Sequence, residues 1–290
     1  GMLMGAALPT KSTGTYAASR VMAFMKEVGC EYGDLTIKSD QEPAILSTIA
    51  DIGKLRASGG GGKYVIENSP VGASASNGVV ERGIQAITGQ ARVLLDSLEA
   101  RWGVQIPYGH PVSCYIIEYA AFLLNRFEVG RDGRTSFERC KAKKAKMLGV
   151  EFGEAVLWKR RPVGGAIGKL TCLWEDGICI GVKATTGEII IGTEKGIWRT
   201  RTLQRKPIET RWDPGGTRMI GGVPWRLSDD DPRVDGEKLE CRVMEGYEAE
   251  IARYIFRGNV PKTFSIKKED FGLYGYSAEC AGCTAILRGT

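Results

Sequence analysis

The stretch LTIKSDQEPAILSTIADIGKL, residues 35–55, sets the architecture. Leu35-Thr36-Ile37 alternates apolar and polar side chains, the period of a half-buried strand, and it runs through Lys38-Ser39 into a loop at Asp40. From Pro43 the period changes. Ile45, Ile49, Ile52 and Leu55 step by four and three, which predicts a helix over 43–55. Four glycines at 59–62 break it, and Tyr64-Val65-Ile66 predicts a second short strand. Upstream, MLMGAAL at 2–8 reads as an apolar strand, and 15–28 as a helix with Ala18, Val21, Met22, Phe24 and Met25 on its faces. This β-α-β-α-β order predicts an α/β layer with a largely parallel sheet.

Downstream, Ile84, Ile87, Ala91, Leu94, Leu98 and Trp102 line one face of a long helix over 77–102, and Ile116, Ile117, Ala120, Leu124 and Phe127 line a second over 113–127. After residue 150 the period shortens. Residues 155–158, 170–174, 178–182, 188–191 and 197–202 read as strands, with Asp176-Gly177 as the hairpin signal between the second and third. Short strands at this density predict a small β-barrel. Residues 213–237 are rich in Gly, Pro and Asp and read as a linker, and 239–256 as a helix. The expected division is an α/β core with trailing helices over 1–147, the barrel over 148–211, and a linker with an irregular α/β tail over 212–290.

Apolar residues make up 43% and charged residues 26% of the 290, which excludes wholesale disorder and a coiled coil. No run approaches the roughly 18 apolar residues of a membrane span. GMLMGAALP lacks the basic and apolar regions of a signal peptide, so an intracellular location is expected. The eight cysteines follow no disulfide pattern. The net charge of +6 is uneven: residues 1–125 carry −1, residues 126–211 carry +9, and residues 212–290 carry −2. A local basic field is either a solvated surface or the footprint of a polyanion such as nucleic acid.

Two carboxylates stand out by position. Asp40 sits where a strand meets a loop, the place where α/β sheets hold ligand-binding groups; it also suits a plain loop or cap residue. Glu81 lies in the first turn of the long helix, where a carboxylate also complements the helix dipole. The same helix face carries Gln85, Thr88 and Arg92.

The stretch ASASNGVVERGIQAITGQARVLL, with Asn77-Gly78, Glu81-Arg82 and Ala91-Arg92, resembles the glutamate-bearing helix of retroelement integrases, particularly the copia-like branch. LTIKSDQEPAI resembles the strand and loop that carry that family's second catalytic aspartate. IPYGHPVSCYIIEYAAFLLNRF and VGRDGRTSFERCKAK resemble the helix and basic connector after the core, and FGEAVLWKRR with the strands to about Arg205 is similar to the C-terminal barrel. The resemblance covers about residues 1–210. It implies a ribonuclease-H-like core in which Asp40 and Glu81 are catalytic and hold Mg²⁺ (or Mn²⁺). Such a core, in the complete protein, integrates DNA by strand transfer. Paired cations stabilise the attacking and leaving oxygens of an in-line phosphoryl transfer, and Mg²⁺ requires hard oxygen ligands. Element ends and target DNA are the implied partners, and the complete protein is expected to act as a homo-oligomer.

On this reading Asn77, Gln85, Arg92, Arg131, Arg134, Lys141, Lys143, Lys144, Lys159, Arg160, Arg161, Arg199 and Arg201 contact DNA. Trp158, Trp174 and Trp198 are either stacking platforms or barrel core. The sequence departs from the family in that the first catalytic aspartate has no counterpart here, and the 40 residues between Asp40 and Glu81 are several more than usual. Asp34 lies six residues before Asp40, roughly 20 Å along an extended strand, too far to share a metal pair. The chain therefore reads as a polyprotein fragment lacking the first strands, and the alternative is a catalytically dead, nucleic-acid-binding remnant or host-adopted module. Cys280 and Cys283 form half of a Zn²⁺ site, a redox pair, or two plain thiols.

Overall fold

The computed structural model describes residues 1–9, 15–69, 77–146, 149–159, 172–212, 220–228 and 242–243. Contacts separate one unit, Gly1–Ile251, from a second, Ala252–Thr290, which lies wholly outside the described residues.

The N-terminal part comprises helix α1 (Thr15–Val28), strand β1 (Leu35–Ser39), helix α2 (Pro43–Ser58) and strand β2 (Tyr64–Asn68). β1 and β2 pair in parallel, Leu35 opposite Tyr64 through Ser39 opposite Asn68. Parallel neighbours need a crossover, which α2 supplies. Ala18 and Met25 of α1 meet Ile52 of α2 in a small core that Leu35, Ile37 and Tyr64 flank. The α2 stripe does not end at Leu55, which is exposed. It ends at Arg56, which is buried. The Arg56 guanidinium donates to the carbonyls of Cys30 (2.8 Å), Glu31 (3.0 Å) and Gly33, pinning the turn that leads into β1.

Residues 2–8 are not the expected strand. A strand needs a neighbour to satisfy its amides. Here the Leu3 N–H donates to Asn125 Oδ1 and the Asn125 amide donates back to the Leu3 carbonyl, both at 2.7 Å. One side chain thus stands in for a strand partner. A Cβ at Gly5 would come within 2.7 Å of the Ile117 carbonyl, so this segment lies against the next helix pair only because residue 5 is glycine.

That pair is α3 (Gly78–Trp102) and α4 (Pro111–Phe127), joined through strand β3 (Val104–Gln105). His110 caps α4, its ring Nδ1 accepting from the Val112 N–H at 3.2 Å. A short helix, α5 (Ser136–Lys141), opens on a capping box between Thr135 and Glu138. The apolar face of α3 is used unevenly: Leu98 and Trp102 are buried, whereas Ile84 is 60% exposed, so the first half of the helix stands clear of the core.

Five strands follow: β4 (Ala155–Lys159), β5 (Trp174–Val182), β6 (Ile189–Thr193), β7 (Gly196–Thr200) and β8 (Leu203–Arg205), antiparallel in the order β7-β6-β5-β4-β8. The expected hairpin at Asp176-Gly177 is absent. Both residues lie inside β5, paired with Leu157 and Val156. Gly177 is needed for packing: a Cβ there would meet Ile191 Cγ2 at 2.4 Å and the Trp158 ring at 3.0 Å. Nor does the sheet close into the expected barrel. Among the described residues β7 and β8 remain its two edges. The outer edge of β7 is occupied instead, since the Ile197 N–H donates to the Leu227 carbonyl at 2.7 Å.

The sheet packs on the helices. Leu98, Trp102, Tyr115, Ile116 and Tyr119 share one cluster with Ile178, Ile180 and Ile220. Val156, Trp158, Cys179 and Ile191 form a second. Glu154 is fully buried between Arg205 (2.6 and 2.8 Å) and Arg211 (3.1 Å). Strand β9 (Arg242–Val243) pairs antiparallel with β3, so these two residues are extended where a helix was expected; the remainder of 239–256 lies outside the described residues. The fold is mixed α/β. No helix among the described residues is long and apolar enough to cross a membrane.

Candidate functional site

The C-terminal ends of the parallel strands and the start of α3 are tied by a short hydrogen-bond relay. Ser69, just past β2, donates its N–H to the Ser39 carbonyl at the end of β1 (2.8 Å). Its hydroxyl donates to Asn77 Oδ1 (2.6 Å), the residue before α3, and its carbonyl accepts from Gln41 Nε2 (3.1 Å). Ser69 itself is buried. Asp40 follows Ser39 directly. Glu81 lies four residues beyond Asn77, about 6 Å along the helix axis. The relay therefore gathers the Asp40 loop and the first turn of α3 at one edge of the sheet.

Both carboxylates are exposed. Asp40 Oδ1 accepts weakly from the Glu42 N–H (3.3 Å), a local turn contact. No hydrogen bond or ion pair holds its other oxygen among the described residues. Glu81 takes part in no capping bond, because Asn77 spends its side-chain oxygen on Ser69 and makes no side-chain cap. Among the described residues no hydrogen bond or ion pair engages the Glu81 carboxylate, which lies in the first turn of α3 beside the positive end of the helix dipole. Asp34 is engaged elsewhere, accepting from the Lys63 N–H (2.8 Å) at the opposite end of β1. Hard carboxylate oxygens are the donor type that Mg²⁺ takes, and Asp40 and Glu81 each offer such a group. No cluster of three or more Asp, Glu, His or Cys side chains with metal-binding geometry occurs among the described residues.

The basic segment divides into structural and free cations. Arg126 is buried against Glu27 and lies over the rings of Phe122 (4.0 Å) and Phe137 (4.6 Å). Arg139 is hydrogen-bonded to Asp132, and that guanidinium holds the Asp132 carboxyl well below the usual range. Arg205 is held by Glu154, Lys206 by Asp176 and Arg201 by Glu188 (3.8 Å). Lys141 donates to the Glu27 carbonyl. Arg131, Arg134, Lys143, Lys144, Lys159 and Arg199 remain exposed, with no acidic partner among the described residues. Gln85 and Arg92 are exposed on α3, whereas Asn77 is half-buried in the relay. Trp158 is sequestered, stacked on Trp198 with centroids 5.7 Å apart, so neither reads as a free platform. Arg160, Arg161, Cys280 and Cys283 lie outside the described residues.

Sequence reasoning missed Ser69 and Gln41, which join the two halves of the site, and Arg56, which sets the approach to β1. Only Arg56 left a signal: it continues the stripe from Ile49 and Ile52 at a spacing of four. No protein-family model matches the chain, and no curated protein matches it either.

Proposed function

We propose that this chain carries the ribonuclease-H-like core and DNA-binding region of a copia-like retrotransposon integrase, an enzyme of Mg²⁺- or Mn²⁺-dependent strand transfer in its complete form. The observation that supports the reading is the Ser39–Ser69–Asn77 relay, which ties the end of β1, next to Asp40, to the residue before α3, whose first turn bears Glu81. Asp40 and Glu81 hold the metal. Asn77 positions the helix that bears Glu81, and Gln85 and Arg92 continue along that helix beside the phosphate backbone. The bound ions supply the charge that stabilises attacking and leaving oxygens. The free cations grip phosphates without reading sequence, which suits insertion at many sites.

Two measurements on the whole chain test this. Mn²⁺ binding, followed by paramagnetic broadening, should weaken severalfold or more in both Asp40→Asn and Glu81→Gln; unchanged binding in either variant removes the metal assignment. The logarithm of duplex-DNA affinity should fall linearly with log salt at about −0.9 per phosphate contacted, hence about −5 for six free cations. A flat dependence removes the nucleic-acid reading. A steep slope together with Mn²⁺ binding unchanged in both variants marks the non-catalytic DNA-binding module.

A further inference from the structure

A concavity of about 220 Å³ is walled by α1, α4, β5, β6, β7, the residues that follow β5 and the N-terminal segment, with no contribution from α2, β1, β2 or α3. That is room for about seven waters at roughly 30 Å³ each, or for one small metabolite of the same bulk.

Its walls are polar and incompletely bonded. Arg20 Nη2 of α1 and Glu118 Oε1 of α4 form an ion pair at 2.9 Å across the cavity wall. Arg20 Nε and the Tyr115 hydroxyl are buried and lack hydrogen-bond partners among the described residues, and Tyr115 is only 3% exposed. The hydroxyl of Tyr16, another buried group without a partner, belongs to the same neighbourhood: burial and the nearby Glu118 charge push it up to about 12 against the pull of Arg20. Buried polar groups are ordinarily bonded, so several unpartnered ones in one wall point to a missing partner. On the solvent side, exposed Arg199 and half-buried Lys183 line the cavity, and neither has an acidic partner among the described residues. Arg126 also lines it but is committed to Glu27.

We infer that this cavity binds a small anion that also carries an amino or hydroxyl donor. The anionic group meets Arg199 and Lys183, the donor meets Glu118 Oε1, and the Tyr115 hydroxyl completes the contact. Charge-assisted bonds of this kind are the stronger class, and a group built to accept from a ligand donor discriminates against a ligand that lacks one. This inference stands apart from the Asp40 and Glu81 reading, because the cavity shares no residue with that site; Arg199 alone is also among the cations assigned to DNA.

Calorimetric titration of the whole chain with O-phospho-L-serine, which has both features, and with inorganic sulfate, an anion with no donor, tests it. Phosphoserine should bind with a Kd of about 1 mM or tighter, and sulfate about tenfold more weakly. Arg199→Ala, at an exposed position, should weaken phosphoserine about tenfold, and the isosteric Tyr115→Phe should do likewise. Absence of heat with phosphoserine at about 10 mM, equal affinity for the two probes, or wild-type affinity in Arg199→Ala overturns the inference. Should Tyr115→Phe fail to fold, Arg199→Ala alone decides.

Discussion

The parallel strand pair and the antiparallel sheet spend their side chains differently. Around β1 and β2 the core is small, and the polar groups at the strand ends serve to place other groups, as Ser69 does for Ser39, Gln41 and Asn77. Around β4–β8 the polar groups are consumed in holding the sheet: Glu154 takes two arginines, and Trp158 fills the space that Gly177 leaves open. The first arrangement leaves carboxylates free to act on something else. The second leaves few, and it binds several of the cations that make the middle segment so basic.

The contrast can be broken at several points. Trp158→Ala should cost about 4 kcal/mol of stability, read as a fall in Tm, because the ring is buried and faces a glycine that cannot fill the gap. A loss near zero would mean that the second cluster is not a core. Glu154→Gln should cost about 3 kcal/mol in denaturant titration, since it leaves the guanidiniums of Arg205 and Arg211 facing a neutral amide.

Glu118 supplies a pH test on the helix side of the sheet. Burial raises its carboxyl above the ordinary 4.5, against the opposing pull of Arg20. A carboxyl raised in the folded state contributes stability that is complete below the ordinary value and is lost as pH rises through the raised one. The Tm of Glu118→Gln relative to wild type should therefore climb as pH rises past 4.5. Parallel curves would contradict it.

At the strand ends the expected effects are smaller. Ser69→Ala should cost about 1 kcal/mol of stability while weakening Mn²⁺ binding, because the helix bearing Glu81 loses its tether to the strand end. Asp40→Asn and Glu81→Gln should change stability by no more than about 0.5 kcal/mol, as exposed substitutions do, and yet lose metal affinity. A large stability loss in either would assign that carboxylate a structural role and erase the contrast.

The periodic elements were legible. Helices α1, α3 and α4 and strands β1, β2 and β4 stand within a few residues of where spacing puts them, because an amphipathic face is a local property of the chain. The carboxylates at the strand end and helix start were legible for the same reason, being boundary positions of periodic elements. What failed were readings that need a partner. Residues 2–8 are apolar enough for a strand but found Asn125 rather than a neighbouring strand. Asp176-Gly177 carries a turn signal that the Trp158 ring overrides. The barrel required β7 to meet β8, and Leu227 took that edge.

Local periodicity and residue chemistry by themselves determined most of the helices and strands, where the charge concentrates, and that positions 40 and 81 bear acids at element ends. The tertiary structure alone decided that Ser69 joins those two ends, that the sheet stays open, and which arginines are spent on buried carboxylates. Hydrogen bonds and ion pairs between residues distant in sequence depend on where the whole chain folds, and no window of sequence contains both partners.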